Sequence, residues 1–249
     1  TGSTEPYGLS LGTAAGDAGG GSAVFRVDQC RVRMDSGDVN ELFPLPARET
    51  LSEGAVLLRG FARDDAPRLI ADLAAITAAS PFRHMIVPTG QRMSVAMTNA
   101  GTMGWVTDRT GYRYDPHDPE NGKPWPALPN SFLDLAGRAA TEAGFSAFVP
   151  DGCLINRYEP GARLTLHQDR NERDFSQPIV SVSLGLPAKF LWGGATRKER
   201  PQRIALSSGD VVVWGGKARL TFHGVDRLAD GNDPLTGRCR INLTFRRAL

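Results

Sequence analysis

The chain has 249 residues, 41% of them hydrophobic and 22% charged, with a net charge of only +2. That balance suits a soluble globular protein with a real core, and partners must be inferred from local patches, not from the total charge. No apolar run is long enough to span a bilayer, the start lacks the pattern of a secretory signal, and three widely spaced cysteines argue against a disulfide framework or a cysteine-rich zinc site. The expected setting is cytoplasmic, with no membrane contact.

Residues 1–40 are rich in Gly, Ser, Ala and Thr and read as a disordered extension, with short extended pieces at Val24–Val27 and Cys30–Arg33. Ala55–Leu58 reads as a first strand. Asp64-Asp65-Ala66-Pro67 opens a helix, with Leu69, Ile70, Leu73 and Ile76 at helical spacing and Ser80-Pro81 as its end. A second helix is expected from Asn130 or Ser131 to Glu142, with Gly144 as its stop. Between them, residues 82–129 mix Gly, Pro, Thr and Asn with Met93, Met97, Trp105, Tyr112, Tyr114 and Trp125. Such a surface suits a lid over a planar ligand, or equally a satellite hydrophobic cluster under long loops.

From Cys153 the pattern becomes all-β, with strand-like runs over 153–158, 162–166, 179–184, 189–192, 203–206, 210–214, 219–222 and 239–245. Short strands at this spacing predict a sandwich or jelly roll over about 150–249, so the fold class is mainly β with flanking helices.

His167-Gln168-Asp169 places a histidine and a carboxylate two positions apart, on one side of an extended strand. With His223 as a third ligand they make the two-His, one-carboxylate set of non-haem Fe(II) oxygenases. Alone, the pair is matched by a strand-end histidine bonded to a neighbouring acid. The last strand adds Arg240, Asn242 and Arg246 on one face, with Ile241, Leu243 and Phe245 on the other. Inward-facing arginines need anions, and a dicarboxylate such as 2-oxoglutarate would satisfy both. Asn156 and Tyr158 share a strand face and could reach the same ligand. The bland alternative is a solvent-facing basic strand end.

Asn156-Arg157-Tyr158, His167-Gln168-Asp169, His223 and Arg240-x-Asn242-x-x-x-Arg246 together resemble the AlkB family of Fe(II)/2-oxoglutarate-dependent nucleic acid dealkylases. Met93–Asn99, Ile179–Pro187 and Gly209–Gly216 extend the likeness, which runs from about residue 41 to 249. The resemblance implies one dioxygenase domain over 41–249: a double-stranded β-helix with an N-terminal nucleotide-recognition lid. It implies Fe(II) on His167, Asp169 and His223. Arg240, with Asn156 and Tyr158, would take the distal carboxylate of 2-oxoglutarate, and Arg246, with Asn242, the end nearer the metal. With O2 as co-substrate, an N-methyl group on bases such as 1-methyladenine or 3-methylcytosine would be oxidised and lost as formaldehyde, leaving succinate and CO2. The implied partner is alkylated DNA or RNA, single-stranded, bound by a monomer in direct-reversal repair.

On the substrate side the resemblance points to Trp105 as the stacking platform, to Tyr112, Arg113 and Tyr114 on the nucleic acid backbone, and to Arg197 near the substrate. An ordinary solvated arginine is an equal reading of Arg197. Three positions depart from the family pattern: Asn171 stands where an acid is expected, Gln91 where a lid tyrosine is expected, and Phe175 where an aliphatic residue is expected. These put base preference in question and spare the iron and 2-oxoglutarate ligands. The competing expectations are a 2-oxoglutarate oxygenase for modified RNA, protein or a small molecule, and a non-enzymatic jelly-roll module.

Overall fold

The computed structural model describes residues 47–249. The extension over residues 1–40, with its pieces at Val24–Val27 and Cys30–Arg33, lies outside the described residues. The elements in order are β1 (Arg48–Ser52), β2 (Ala55–Leu58), α1 (Ala66–Ala79), β3 (Ala96–Gly101), β4 (Gly104–Asp108), β5 (Gly111–Asp115) and α2 (Asn130–Glu142). There follow β6 (Gly152–Tyr158), β7 (Leu164–His167), β8 (Ile179–Gly185), β9 (Ala188–Trp192), β10 (Gln202–Leu206), β11 (Val211–Trp214), β12 (His223–Val225) and β13 (Arg240–Arg246).

Two antiparallel sheets carry the fold: a seven-stranded one ordered β1-β2-β11-β8-β13-β6-β3, and a four-stranded one ordered β10-β9-β12-β7. Among the described residues, β4 pairs only with β5, as a separate hairpin. Period-2 alternation divides the larger sheet into two faces. On one, Val56, Leu58, Val180, Val182, Val211, Val213, Ile241, Leu243 and Phe245 pack with Leu69, Leu73, Phe132 and Leu135 of the helices. On the other, Leu57, Leu154, Tyr158, Val212 and Trp214 meet Phe190, Trp192 and Val225 of the smaller sheet. The result is the double-stranded β-helix expected of a jelly roll, with its helices outside one wall. Strand β13 is buried along its whole length because both faces are covered.

Both helices lie where the sequence places them. Pro67 sits in the first turn of α1, and Asp65 at its N-cap uses its carboxylate on Arg138 of α2 at 2.8 Å instead of capping. After α2, Gly144 takes φ +94°, the left-handed conformation that stops a helix.

Two expectations are corrected. Residues 82–129 are not one lid. Ala96–Gly101 forms the edge strand β3, wholly buried against β6, and Met85, Val95, Met97 and Trp125 belong to the core between the sheets. The hairpin β4–β5 and the loop before β3 remain over the cavity. The strand expected at 219–222 is absent: a 3-10 turn over Gly216–Ala218 leads to β12 at His223. The Leu220-Thr221-Phe222 run has strand-like composition, but Arg219 is drawn inward to Glu172 and Leu220 is left exposed. Tertiary pairing overrides local propensity here.

Candidate metal centre and substrate cavity

Strands β7 and β12 are antiparallel neighbours, and their register sets His223 opposite His167. The ring centroids are 4.4 Å apart. The register slips within this short pair, so β7 bulges next to Gly224. A Cβ at Gly224 would lie 2.6 Å from the Leu164 carbonyl oxygen, so only glycine lets the two strands approach this closely. Asp169 lies two residues past the end of β7, where the Arg219 guanidinium holds its backbone carbonyl at 2.7 Å. Each imidazole Nε2 is 3.7 Å from an Asp169 carboxylate oxygen, and the three donor atoms fall within 4.8 Å of one another.

The backbone also fixes the tautomers. His167 Nδ1 is 2.9 Å from the Thr165 carbonyl and His223 Nδ1 3.0 Å from that of Thr221. A carbonyl can only accept, so each Nδ1 carries a proton and each Nε2 is the atom turned to the carboxylate. Burial, then the charge of nearby His167, pushes His223 down to about 4, so it is neutral at pH 7. Burial alone would raise the Asp169 carboxyl, but Arg246 and the two histidines outweigh it and hold it well below the usual carboxylate range. One carboxylate and two imidazoles oriented by backbone carbonyls fit a divalent first-row metal with open positions.

The two arginines of β13 are both buried on the cavity side, but they are not equivalent. Arg246 donates to Asp169 Oδ2 from Nη2 at 2.7 Å and lies 3.4 Å from Glu172. Arg240 has no acidic partner among the described residues. Its Nη2 donates to Ser183 Oγ at 2.8 Å, its guanidinium lies 5.0 Å from the Tyr158 ring centroid, and its Nε and Nη1 are unpartnered. Burial pushes its pKa down, and only Tyr158 opposes that. Beside it Asn156 donates to Asn242 Oδ1 at 3.3 Å while its own Oδ1 is unpartnered. Asn242 is in turn held by Ser181 and the Val182 carbonyl. A buried cation with idle donors is costly and fits a carboxylate ligand.

These groups line one cavity of about 510 Å³. At its mouth Trp105 stacks on Tyr112, centroids 5.8 Å apart at 26°, and the Trp105 indole N–H donates to Asn171 Oδ1 at 3.2 Å. Tyr112 is exposed, whereas Tyr114 turns inward and its hydroxyl donates to Glu172 at 2.5 Å. Arg113 is paired within its own hairpin, 2.8 Å from Asp108. Arg197 reaches the rim, donating to the Leu166 carbonyl at 2.5 Å and lying 5.9 Å from the Phe222 ring centroid. Gln91 is exposed in the loop before β3, and Phe175 lies under the Arg219 guanidinium at 5.2 Å. Thus Trp105, Tyr112, Asn171 and Arg197 gather at the mouth with the triad below, while Arg113 and Tyr114 face elsewhere.

Sequence reasoning did not single out Glu172 or Arg219; it named Met93 only among the lid residues and Trp214 only within a strand-like run. Met93 and Trp214 line the cavity, and Glu172 and Arg219 form a buried ion pair at 3.1 Å beneath it. Their residue types are ordinary in a core or on a surface. Only the closeness of Glu172 to Asp169 in the chain was a signal.

Comparison with known proteins agrees with this geometry. A profile of the 2OG-Fe(II) oxygenase superfamily matches residues 54–246. The alpha-ketoglutarate-dependent dioxygenase AlkB of Escherichia coli is 57% identical over 203 residues, covering 82% of this chain and 94% of that one. An AlkB homolog of Caulobacter vibrioides is 48% identical over 170 residues, covering 68% of this chain and 76% of that one. The solved structure of OsALKBH1 superposes with a TM-score of 0.71 at 31% identity, covering 80% of this chain and 99% of that one. The profile match, the high identity and the His-Asp-His cluster lead to one conclusion: the chain belongs to the AlkB family within the 2OG-Fe(II) oxygenases, and is a dioxygenase that uses Fe(II), 2-oxoglutarate and O2.

Proposed function

We propose that this enzyme oxidatively removes alkyl groups from ring nitrogens of nucleic acid bases, such as 1-methyladenine and 3-methylcytosine, in single-stranded DNA or RNA. In this reading His167, Asp169 and His223 hold Fe(II). Arg240, Asn156 and Tyr158 hold the distal carboxylate of 2-oxoglutarate, and Arg246 with Asn242 the end nearer the metal. Bound Fe(II), 2-oxoglutarate and O2 supply the oxidising step, and the products are succinate, CO2 and formaldehyde.

The chain's own part is to bind, orient and exclude water. The observation that carries the reading is the single cavity: the triad, the unpaired Arg240 and the Trp105–Tyr112 pair line the same space. A base reaches that depth only after leaving its stack, which an unpaired strand permits at least cost. An aromatic platform favours a flat, cationic ring. Arg197 and Asn171 stand at the rim for contacts to the base or its neighbours. Arg113 and Tyr114 take part through the hairpin they stabilise.

All parts of this site come from one chain, so the reading needs no second copy. Direct reversal of alkylation damage is the corresponding role. We place it in the cytoplasm, because Cys153 and Cys239 are free thiols and no described helix is long and apolar enough to cross a membrane.

The test is aerobic incubation with Fe(II), 2-oxoglutarate and single-stranded oligonucleotides carrying each methylated base. Loss of the methyl group by mass, matched by formaldehyde, is expected, and His167→Ala should abolish it. Succinate formation with every base left intact would point to a different substrate class.

A further inference from the structure

Glu172 follows Asp169 by three residues and is only 5% exposed. Tyr114 and Trp105 are direct cross-strand partners in the β4–β5 hairpin. Both reach back to consecutive residues of the segment that carries Asp169: the Trp105 indole to Asn171 at 3.2 Å, and the Tyr114 hydroxyl to Glu172 Oε1 at 2.5 Å. That same Oε1 lies 3.4 Å from Arg246 Nε, while Oε2 accepts from Arg219 Nη2 at 3.1 Å. Arg246 and Arg219 in turn grip the carboxylate and the backbone carbonyl of Asp169. One buried carboxylate thus has the aromatic hairpin on one side and the cofactor end of the cavity on the other.

We propose that Glu172 is a positioning residue that couples the two ends of the cavity, so that loading 2-oxoglutarate tightens nucleic acid binding. This rests on the dealkylase reading above. A buried carboxylate is stable only when its hydrogen bonds are complete. Seating the hairpin supplies the Tyr114 hydroxyl to Oε1, which otherwise faces Arg246 alone. Arg246 is the arginine assigned to the near end of 2-oxoglutarate, so its placement and the hairpin's are not independent. By linkage, each ligand then strengthens the other by the same factor.

The experiment is binding of a labelled single-stranded oligonucleotide carrying 1-methyladenine, with Mn(II) present and O2 excluded, with and without 2-oxoglutarate. We expect about tenfold tighter binding in the presence of 2-oxoglutarate. That factor should fall towards one in Tyr114→Phe and in Glu172→Gln, and the double variant should be no worse than either. A merely structural role would weaken binding equally in both conditions and leave the factor unchanged. If Glu172→Gln fails to fold, Tyr114→Phe decides alone, since it removes one hydroxyl. The proposal is overturned if Tyr114→Phe keeps the parent's factor, or if the parent binds equally well in both conditions. Absence of oligonucleotide binding in both conditions would remove the dealkylase reading and this proposal together.

Discussion

Arg240 and Arg246 differ by six positions and share a strand face, yet their surroundings make them opposites. Arg246 is neutralised by Asp169 and Glu172, while Arg240 is a buried charge awaiting an anion. Replacing Arg240 with Met should therefore leave the ligand-free protein no less stable, because an uncompensated charge is exchanged for an apolar group. The same change should weaken 2-oxoglutarate binding by about a hundredfold, measured by titration with Mn(II) in the absence of O2. A clear fall in the melting temperature of the ligand-free variant would count against Arg240 being unpaired. Gly224 makes a second residue-scale prediction. A methyl group there would push β12 off β7 and part the two histidines. Gly224→Ala should lose metal affinity although the residue ligates nothing, and Mn(II) binding checks it. Alternation alone brought Arg240, Asn242 and Arg246 to one face in the sequence. It could not say which arginine already has acids, because those acids come from a loop some seventy residues earlier. Glu172 stayed hidden for the same reason: its meaning depends on Tyr114, Arg219 and Arg246, which are adjacent only after folding.

The loop between β5 and α2 is held by Asp118, a nearly fully buried carboxylate. It accepts from Arg83 Nη1 at 2.8 Å, from the Ser80 hydroxyl at 2.9 Å and from the Glu120 amide at 3.0 Å. Arg83 in turn lies 5.1 Å from the Trp125 ring centroid. Burial raises the Asp118 carboxyl, but these donors outweigh it and leave it below its ordinary value. Such a group stabilises the fold above its ordinary pKa of about 3.9, and the contribution is lost as pH falls through the folded value. Asp118→Asn should therefore cost about 2 kcal/mol at pH 7. The gap to the parent should shrink as unfolding is measured at progressively lower pH below that ordinary value. A gap that persists undiminished in acid would show that the amide's shape, not the lost charge, is responsible. At this scale the helices were legible because their apolar spacing and their Pro and Gly boundaries agree. Strand β3 was not, since Ala96-Met97-Thr98-Asn99 is buried by pairing with β6 and carries no alternation of its own. The run at 219–222 misled for the converse reason, having strand-like side chains in a segment that Arg219 bends.

Across the whole molecule, two facing sheets bring together the proposed iron ligands, on or just past the smaller wall, and the proposed 2-oxoglutarate ligands, on the larger. The jelly-roll class was legible because eight short runs with turns between them leave few other architectures. The triad was legible as a candidate, but the strand register that sets His223 opposite His167 could not be read from one-dimensional spacing. Loading both walls should stiffen the whole fold. Mn(II) with 2-oxoglutarate should raise the melting temperature by more than the sum of the two separate effects, as expected when native-state ligands in one site strengthen each other. Additivity without excess would mean that the two walls do not share a site.

Strand β13 has a further consequence. It is an interior plank between β8 and β6, yet the ribosome makes both of those first. A growing polypeptide must therefore wait, with two unsatisfied strand edges, until its final plank emerges. Such long-range closure is slow and leaves sticky borders exposed meanwhile. Nascent molecules halted after β12 should be protease-sensitive and clump, and chaperone supply should govern the yield of this protein more than the strength of its finished core.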